Sequence, residues 1–140
     1  MYMDIEDCLK EGFLRKVGID KKLVEKEINE ALYDFEKAEQ AFESKDFKWA
    51  IVKSYYSMFH AARAVLFSLC YREKRHFAVQ VVLEDLVKKG KLESLYLEYF
   101  SAAMEAREGA DYRYQYSENV AGSILEYAEK FIASMKKLIG

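Results

Sequence analysis

Not one proline occurs in the 140 residues of this chain. Proline breaks helix interiors and punctuates turn-rich folds, so its absence favours long uninterrupted helices over a β-sandwich or barrel. The chain is short enough for one domain, since two halves would each be close to the size at which a single core becomes marginal. With 51% hydrophobic residues it carries enough apolar surface to fold, and disorder is excluded. The formal net charge of −2 excludes the strongly basic character of a general nucleic-acid coat.

Helical spacing fills the chain. Residues 3–17 read as a short amphipathic helix with Ile5, Leu9, Phe13 and Val17 on one stripe. Asp20 is placed to cap a second helix, in which Val24, Ile28, Ala31, Phe35, Ala38 and Phe42 recur at alternating steps of four and three. A third helix over 46–69 is apolar on two stripes, Ile51-Tyr55-Met58-Ala62-Val65-Leu69 and Val52-Tyr56-Phe59-Arg63-Leu66-Cys70. Its third stripe, Ser54, Ser57, Ala61, Ala64 and Ser68, is small throughout. A helix of that kind is surrounded by neighbours, and the spacing makes it the centre of the fold. A polar loop at 71–75, a helix over 76–89 stopped by Gly90, a helix over 91–108, a loop over 109–116 and a final helix over 117–139 complete the reading. The expected class is all-α, an up-and-down bundle of four to five helices plus a short N-terminal helix, in one domain spanning 1–140.

Charge is unevenly spread. Residues 1–44 carry 7 basic and 12 acidic side chains, residues 45–92 carry 10 and 4, and residues 93–140 carry 5 and 8. The basic excess gathers in Arg72, Lys74, Arg75, Lys88, Lys89 and Lys91, at the two ends of one helix. The most hydrophobic stretch, Ala50 to Cys70, has spanning length but carries Lys53, His60 and Arg63, which marks a core helix and not a membrane span. The N-terminus is acidic and has no signal-peptide pattern, and Cys8 and Cys70 read as reduced thiols, so the expected location is the cytoplasm.

Familiar catalytic designs are missing. His60 and His76, the only histidines, lie 16 apart, with no Cys-x2-Cys or His-x3-His pair to hold a metal and no glycine loop to cradle phosphate. No metal and no cofactor are expected. Two segments could carry chemistry. In Tyr55-Tyr-Ser-Met-Phe-His-Ala-Ala-Arg63, the residues Tyr56, His60 and Arg63 are either a satisfied polar cluster fixing helix register or a nucleotide or phosphate pocket. In Ala106-Arg-Glu-Gly-Ala-Asp-Tyr112-Arg-Tyr-Gln-Tyr116, Arg107 and three alternating tyrosines either end a helix or form a binding loop. The exposed loop bearing Arg72 and Arg75 is a further phosphate candidate.

The string Tyr55-Tyr-Ser-Met-Phe-His-Ala-Ala-Arg-Ala-Val-Leu66, followed by Tyr71-Arg-Glu-Lys and Ala106-Arg-Glu-Gly-Ala-Asp-Tyr112, resembles the HEPN superfamily, in particular its small stand-alone prokaryotic and archaeal branch, over about residues 20–139. The resemblance implies a bundle that commonly dimerises. It also implies partnership with a minimal nucleotidyltransferase in gene pairs that often behave as toxin and antitoxin. Active members carry Arg-x(4–6)-His, the arginine on the scissile phosphate and the histidine in proton transfer at a dimer cleft. Here Arg107 is followed after four residues by Tyr112 in the histidine's place. Where the family pairs with a nucleotidyltransferase, a tyrosine two residues past the histidine can accept the nucleotidyl group, and Tyr114 stands there. A phenol titrates near about 10 against about 6.5 for an imidazole and is a poor general base at neutral pH. Three readings follow: a homodimeric, non-catalytic or weakly catalytic partner of a nucleotidyltransferase; a metal-independent ribonuclease; or a nucleotide- or polyphosphate-binding module built on His60, Arg63, Arg72 and Arg75.

Overall fold

The computed structural model describes residues 3–140. Its elements in chain order are α1 (Ile5–Glu11), β1 (Leu14–Lys16), α2 (Lys21–Glu43), α3 (Phe47–Ser68), β2 (Tyr71–Glu73), α4 (Phe77–Lys88), α5 (Ser94–Tyr112) and α6 (Glu118–Ile139). The fold is the expected all-α bundle, five helices after a short N-terminal one, with a single two-stranded ribbon attached among the described residues.

Local chemistry explains the helix starts. The Asp20 carboxylate accepts from the backbone N–H of Lys22 and Leu23 at 3.1 and 3.2 Å, and Asp46 and Ser117 do the same for α3 and α6. Helix α3 is the centre, packed against α2, α4, α5 and α6. Tyr55, Ile51, Met58, Val65 and Leu66 on it are at most 1% exposed. Its small residues Ser54, Ser57, Ala61 and Ala64 are fully buried, as a helix with neighbours on nearly every side requires. Phe100 of α5 and Phe131 of α6 stack in the same core with centroids 5.5 Å apart.

Three expectations are corrected. The helix expected over 3–17 ends at Glu11, because Gly12 takes a left-handed conformation (φ 76°) and its N–H caps the last turn. The chain then reverses into β1. There Leu14 is buried while Arg15 and Lys16 are both exposed, so burial does not alternate along this short strand and its backbone pairing, not a hydrophobic pattern, defines it. The expected loop at 71–75 supplies β2, which pairs antiparallel with β1 in the register Leu14↔Glu73, Arg15↔Arg72, Lys16↔Tyr71. The loop expected to begin at Gly109 begins four residues later. Gly109 is a buried interior residue of α5, and packing there overrides the helix-breaking preference of glycine.

Candidate functional site

Between Trp49 and Phe67, the only positions of α3 that are not buried are Trp49, Lys53, Tyr56, His60 and Arg63. They recur at steps of four and three, so the central helix shows solvent a single narrow stripe. Two polar groupings are built on it.

The first joins α3 to α5. The Arg107 guanidinium carbon lies 5.1 Å from the centre of the Tyr55 ring and 6.0 Å from that of Tyr56. Its side chain is 17% exposed. Nη1 reaches Asp111, one turn on, at a long 3.4 Å, and Nε is buried with no acceptor. Burial opposes the charge of this guanidinium, but the Tyr56 and Tyr55 phenols, the Tyr112 hydroxyl and Asp111 outweigh it and raise its pKa above the ordinary arginine value. Tyr112 is the last residue of α5 and is 72% exposed. The chain then folds back, with the N–H groups of Arg113 and Gln115 both donating to the Gly109 carbonyl. That turn holds Tyr114 at a φ of 53° and leaves its side chain 78% exposed. Arg107, Tyr56 and Tyr112 are therefore brought together, whereas Tyr114, exposed in the turn that follows, makes no contact with Arg107. The arrangement presents a cation backed by two aromatic rings next to phenols open to solvent, which suits an oxyanion.

The second grouping joins α3 to α2 and β2. His60 Nδ1 lies 2.6 Å from Glu27 Oε2, and its Nε2 lies 3.6 Å from Asp34 Oδ2. Arg63 donates from Nη1 to Glu27 Oε1 at 3.2 Å and sets its Nε 2.9 Å from Glu73 Oε2. The Arg63 guanidinium also lies over the rings of Phe67 and Phe59, at 5.3 and 5.9 Å. The hydrogen bond to Glu27 outweighs burial and raises the His60 pKa above 6.5. Burial pushes Glu27 upward, but His60 and Arg63 together hold its carboxyl below the usual range. Asp34 is raised by burial. Of the two uses open to His60 and Arg63, the geometry is that of cations matched by carboxylates. Those carboxylates escaped the sequence reading, although Glu27 stands between Val24 and Ala31 at steps of three and four, a charge on an apolar seam that needs a partner.

The remaining candidates sit at the ribbon. Arg72 on β2 and Arg75 after it are exposed, and the Arg72 guanidinium carbon is 5.7 Å from the Phe67 ring. His76 packs its ring on Phe59 at 4.7 Å, remote from Arg107 in its contacts. Among the described residues no group of three or more His, Cys, Asp or Glu is placed to hold a metal ion. No described helix is long and apolar enough to cross a membrane.

Two archaeal proteins of Methanocaldococcus jannaschii are similar to this chain. One, named "Putative toxin MJ0142", is 30% identical over 93 residues, which cover 66% of this chain and 63% of that protein. The other, named "Putative toxin MJ0605", is 31% identical over 100 residues, covering 70% of this chain and 75% of that one. The chain thus spans somewhat less than two thirds of the first relative's length. The model of the HEPN domain family matches residues 24–138, from the first turn of α2 almost to the end of α6 and including both polar groupings. With the helical bundle and the Arg107 segment in place, this chain belongs to the HEPN domain family.

Proposed function

We propose that this HEPN protein is the toxin-side member of a cytoplasmic toxin–antitoxin-like pair, acting as a homodimer to which a minimal nucleotidyltransferase docks. Arg107 serves as the phosphate-holding group and Tyr114 as the acceptor of a nucleotidyl group. The observation that carries the reading is the environment of Arg107. Its guanidinium is backed by Tyr55 and Tyr56, has a buried Nε without an acceptor, and opens toward exposed phenols with no imidazole in contact. An oxyanion satisfies a guanidinium donor set that Asp111, at 3.4 Å, engages only weakly. Both similar archaeal proteins carry toxin names, which supports the toxin side of the pair.

The missing imidazole argues for weak or absent RNA cleavage in the isolated protein, since proton transfer at neutral pH favours a group titrating near 7. Modification of Tyr114 needs no such group in this chain. Its Oη attacks the α-phosphorus of a nucleoside triphosphate held by the partner, the Oη–P bond forms, the bond to the departing pyrophosphate breaks, and the phenolic proton passes to a base of the partner. The left-handed backbone at Tyr114 holds the side chain 78% exposed, as an acceptor for a second protein must be.

Co-expression with the product of the adjacent gene, followed by co-purification and intact-mass analysis, tests the reading. The expected result is a stable complex, and a nucleotidyl mass increment that Tyr114→Phe abolishes and Arg107→Ala strongly reduces. No association and no increment would overturn it. Rapid cleavage of labelled RNA in excess chelator, lost in Arg107→Ala, would instead establish a metal-independent ribonuclease.

A further inference from the structure

The ribbon register sets Arg15 directly opposite Arg72. Like charges facing each other across a strand pair are destabilising, and this pair has company. Lys16, Lys74 and Arg75 lie on the same short ribbon and the turn that leaves it, and all five side chains are exposed. The one carboxylate within residues 12–17 and 69–77, Glu73, is turned onto Arg63 at 2.9 Å. None of the five cations is ion-paired to a carboxylate among the described residues, whereas Lys89, just past the end of α4, and Lys130 on α6 each hold one at 2.9 and 3.0 Å. In a chain of net charge −2, the unneutralised Arg15–Arg72 pair with Lys74 and Arg75 on the turn that follows forms a concentrated positive surface, and Lys16 adds its charge at the ribbon's other face.

Aromatic rings stand beside it. Phe77 follows Arg75 by two residues, is 41% exposed, and meets Phe13 edge-on with centroids 5.3 Å apart. His76 between them is exposed too. Cations that neutralise phosphates, interleaved with exposed ring faces that bases stack on, are the two components of a single-strand binding surface. An acidic peptide would use the cations alone.

We infer that the β1–β2 ribbon binds single-stranded nucleic acid, with Arg15, Arg72, Lys74 and Arg75 on phosphates and a base on Phe77. The ribbon leads toward the Arg107 site. Arg63, whose partner Glu73 lies in β2, is seven residues along α3 from Tyr56, whose ring faces Arg107, a span of about 10 Å at 1.5 Å per residue. The inference goes beyond the function proposed above and rests on neither Arg107 nor a partner protein, so either can fail its test while the other stands.

Fluorescence anisotropy of the full chain with a fluorescein-labelled oligouridylate, over a series of salt concentrations, tests it. With about four phosphates neutralised, the logarithm of the affinity falls against that of salt with a slope of about −3. Arg15→Gln combined with Arg72→Gln weakens binding at low salt at least tenfold and reduces the slope by about 1.4. Lys74→Gln with Arg75→Gln, outside the strand pairing, has the same effect without touching the ribbon's hydrogen bonds. Phe77→Ala weakens binding several-fold and leaves the slope unchanged. Lys130→Gln, which removes one ion-paired charge on α6, leaves the affinity within twofold. Absence of binding at low salt, or a wild-type slope in both double variants, would overturn the inference. Tighter binding to phosphatidylserine vesicles or to a polyglutamate peptide than to the oligonucleotide would also overturn it and assign the surface to a membrane or an acidic protein.

Discussion

Glu27 and His60, thirty-three positions apart in the chain, meet at 2.6 Å across the packed faces of α2 and α3. The contact is the centre of a network in which Arg63 shares the same carboxylate and Asp34 lies 3.6 Å from the other imidazole nitrogen. Histidine protonation is therefore coupled to the α2–α3 interface, and stability depends on pH in a direction that the geometry sets.

His60 is raised above 6.5, so its contribution is complete below that pH and is lost as pH climbs through the higher folded value. Glu27 is lowered below 4.5, so its contribution is complete above that pH and is lost as pH falls through the lower folded value. Asp34, raised by burial, works against Glu27 on the acid side only. Stability from this pair is therefore greatest between about 4.5 and 6.5. His60→Gln costs about 1–3 kcal/mol at pH 6, and the difference from wild type shrinks as pH rises. Urea denaturation from about pH 5 to about pH 9 checks this.

Phe131 is fully buried and stacks on Phe100, itself 1% exposed. Phe131→Ala leaves a cavity where α5 and α6 meet the core and costs about 3–5 kcal/mol in chemical denaturation. Val120→Ala on the same helix, at a position 42% exposed, changes stability by no more than about 0.5 kcal/mol.

Gly122 lies inside α6, and a methyl group there would meet the Phe42 ring at 3.5 and 3.6 Å, ordinary van der Waals contact. Nothing in the backbone requires glycine at this position. Gly122→Ala raises stability by about 0.5–1 kcal/mol, read as an increased melting temperature, because alanine restricts the unfolded chain and favours the helix.

Tyr114 adopts a φ of 53°, which costs an L-residue about 1–2 kcal/mol that glycine does not bear. Glycine's larger entropy loss offsets part of the gain. Tyr114→Gly therefore leaves the melting temperature equal to or above that of wild type while removing the proposed nucleotidyl acceptor. Tyr114→Phe keeps the backbone cost and loses only the hydroxyl, so the pair separates conformational from chemical effects.

Much of the bundle was legible in the sequence because a helix's apolar stripe is a local property of its 3.6-residue turn. The seam of α2, the central place of α3 with its small buried stripe, and the Asp20 cap all follow from spacing within a few residues. Where local signals pointed both ways, packing decided. Gly109 marks a helix end by propensity, yet it is buried inside α5, with the Arg113 and Gln115 side chains 3.5 and 3.6 Å from where a Cβ would stand. The stretch after Gly12 continues a helix stripe through Phe13 and Val17 and shows no strand alternation, and only the arrival of residues 71–73 supplies the hydrogen bonds that select the strand.

The sequence by itself determined the helical class, the central helix and the residue types available for binding: one arginine–tyrosine segment, one histidine–arginine pair and one basic stretch. Tertiary structure alone decided what each of these faces. It matched His60 and Arg63 with Glu27 and Glu73, laid Arg107 on Tyr55 and Tyr56, and added Arg15 to Arg72 across a ribbon. The reason is physical. Periodicity reports which face of an element leaves water, but ion pairs and strand register join residues dozens of positions apart and exist only once those faces are packed together.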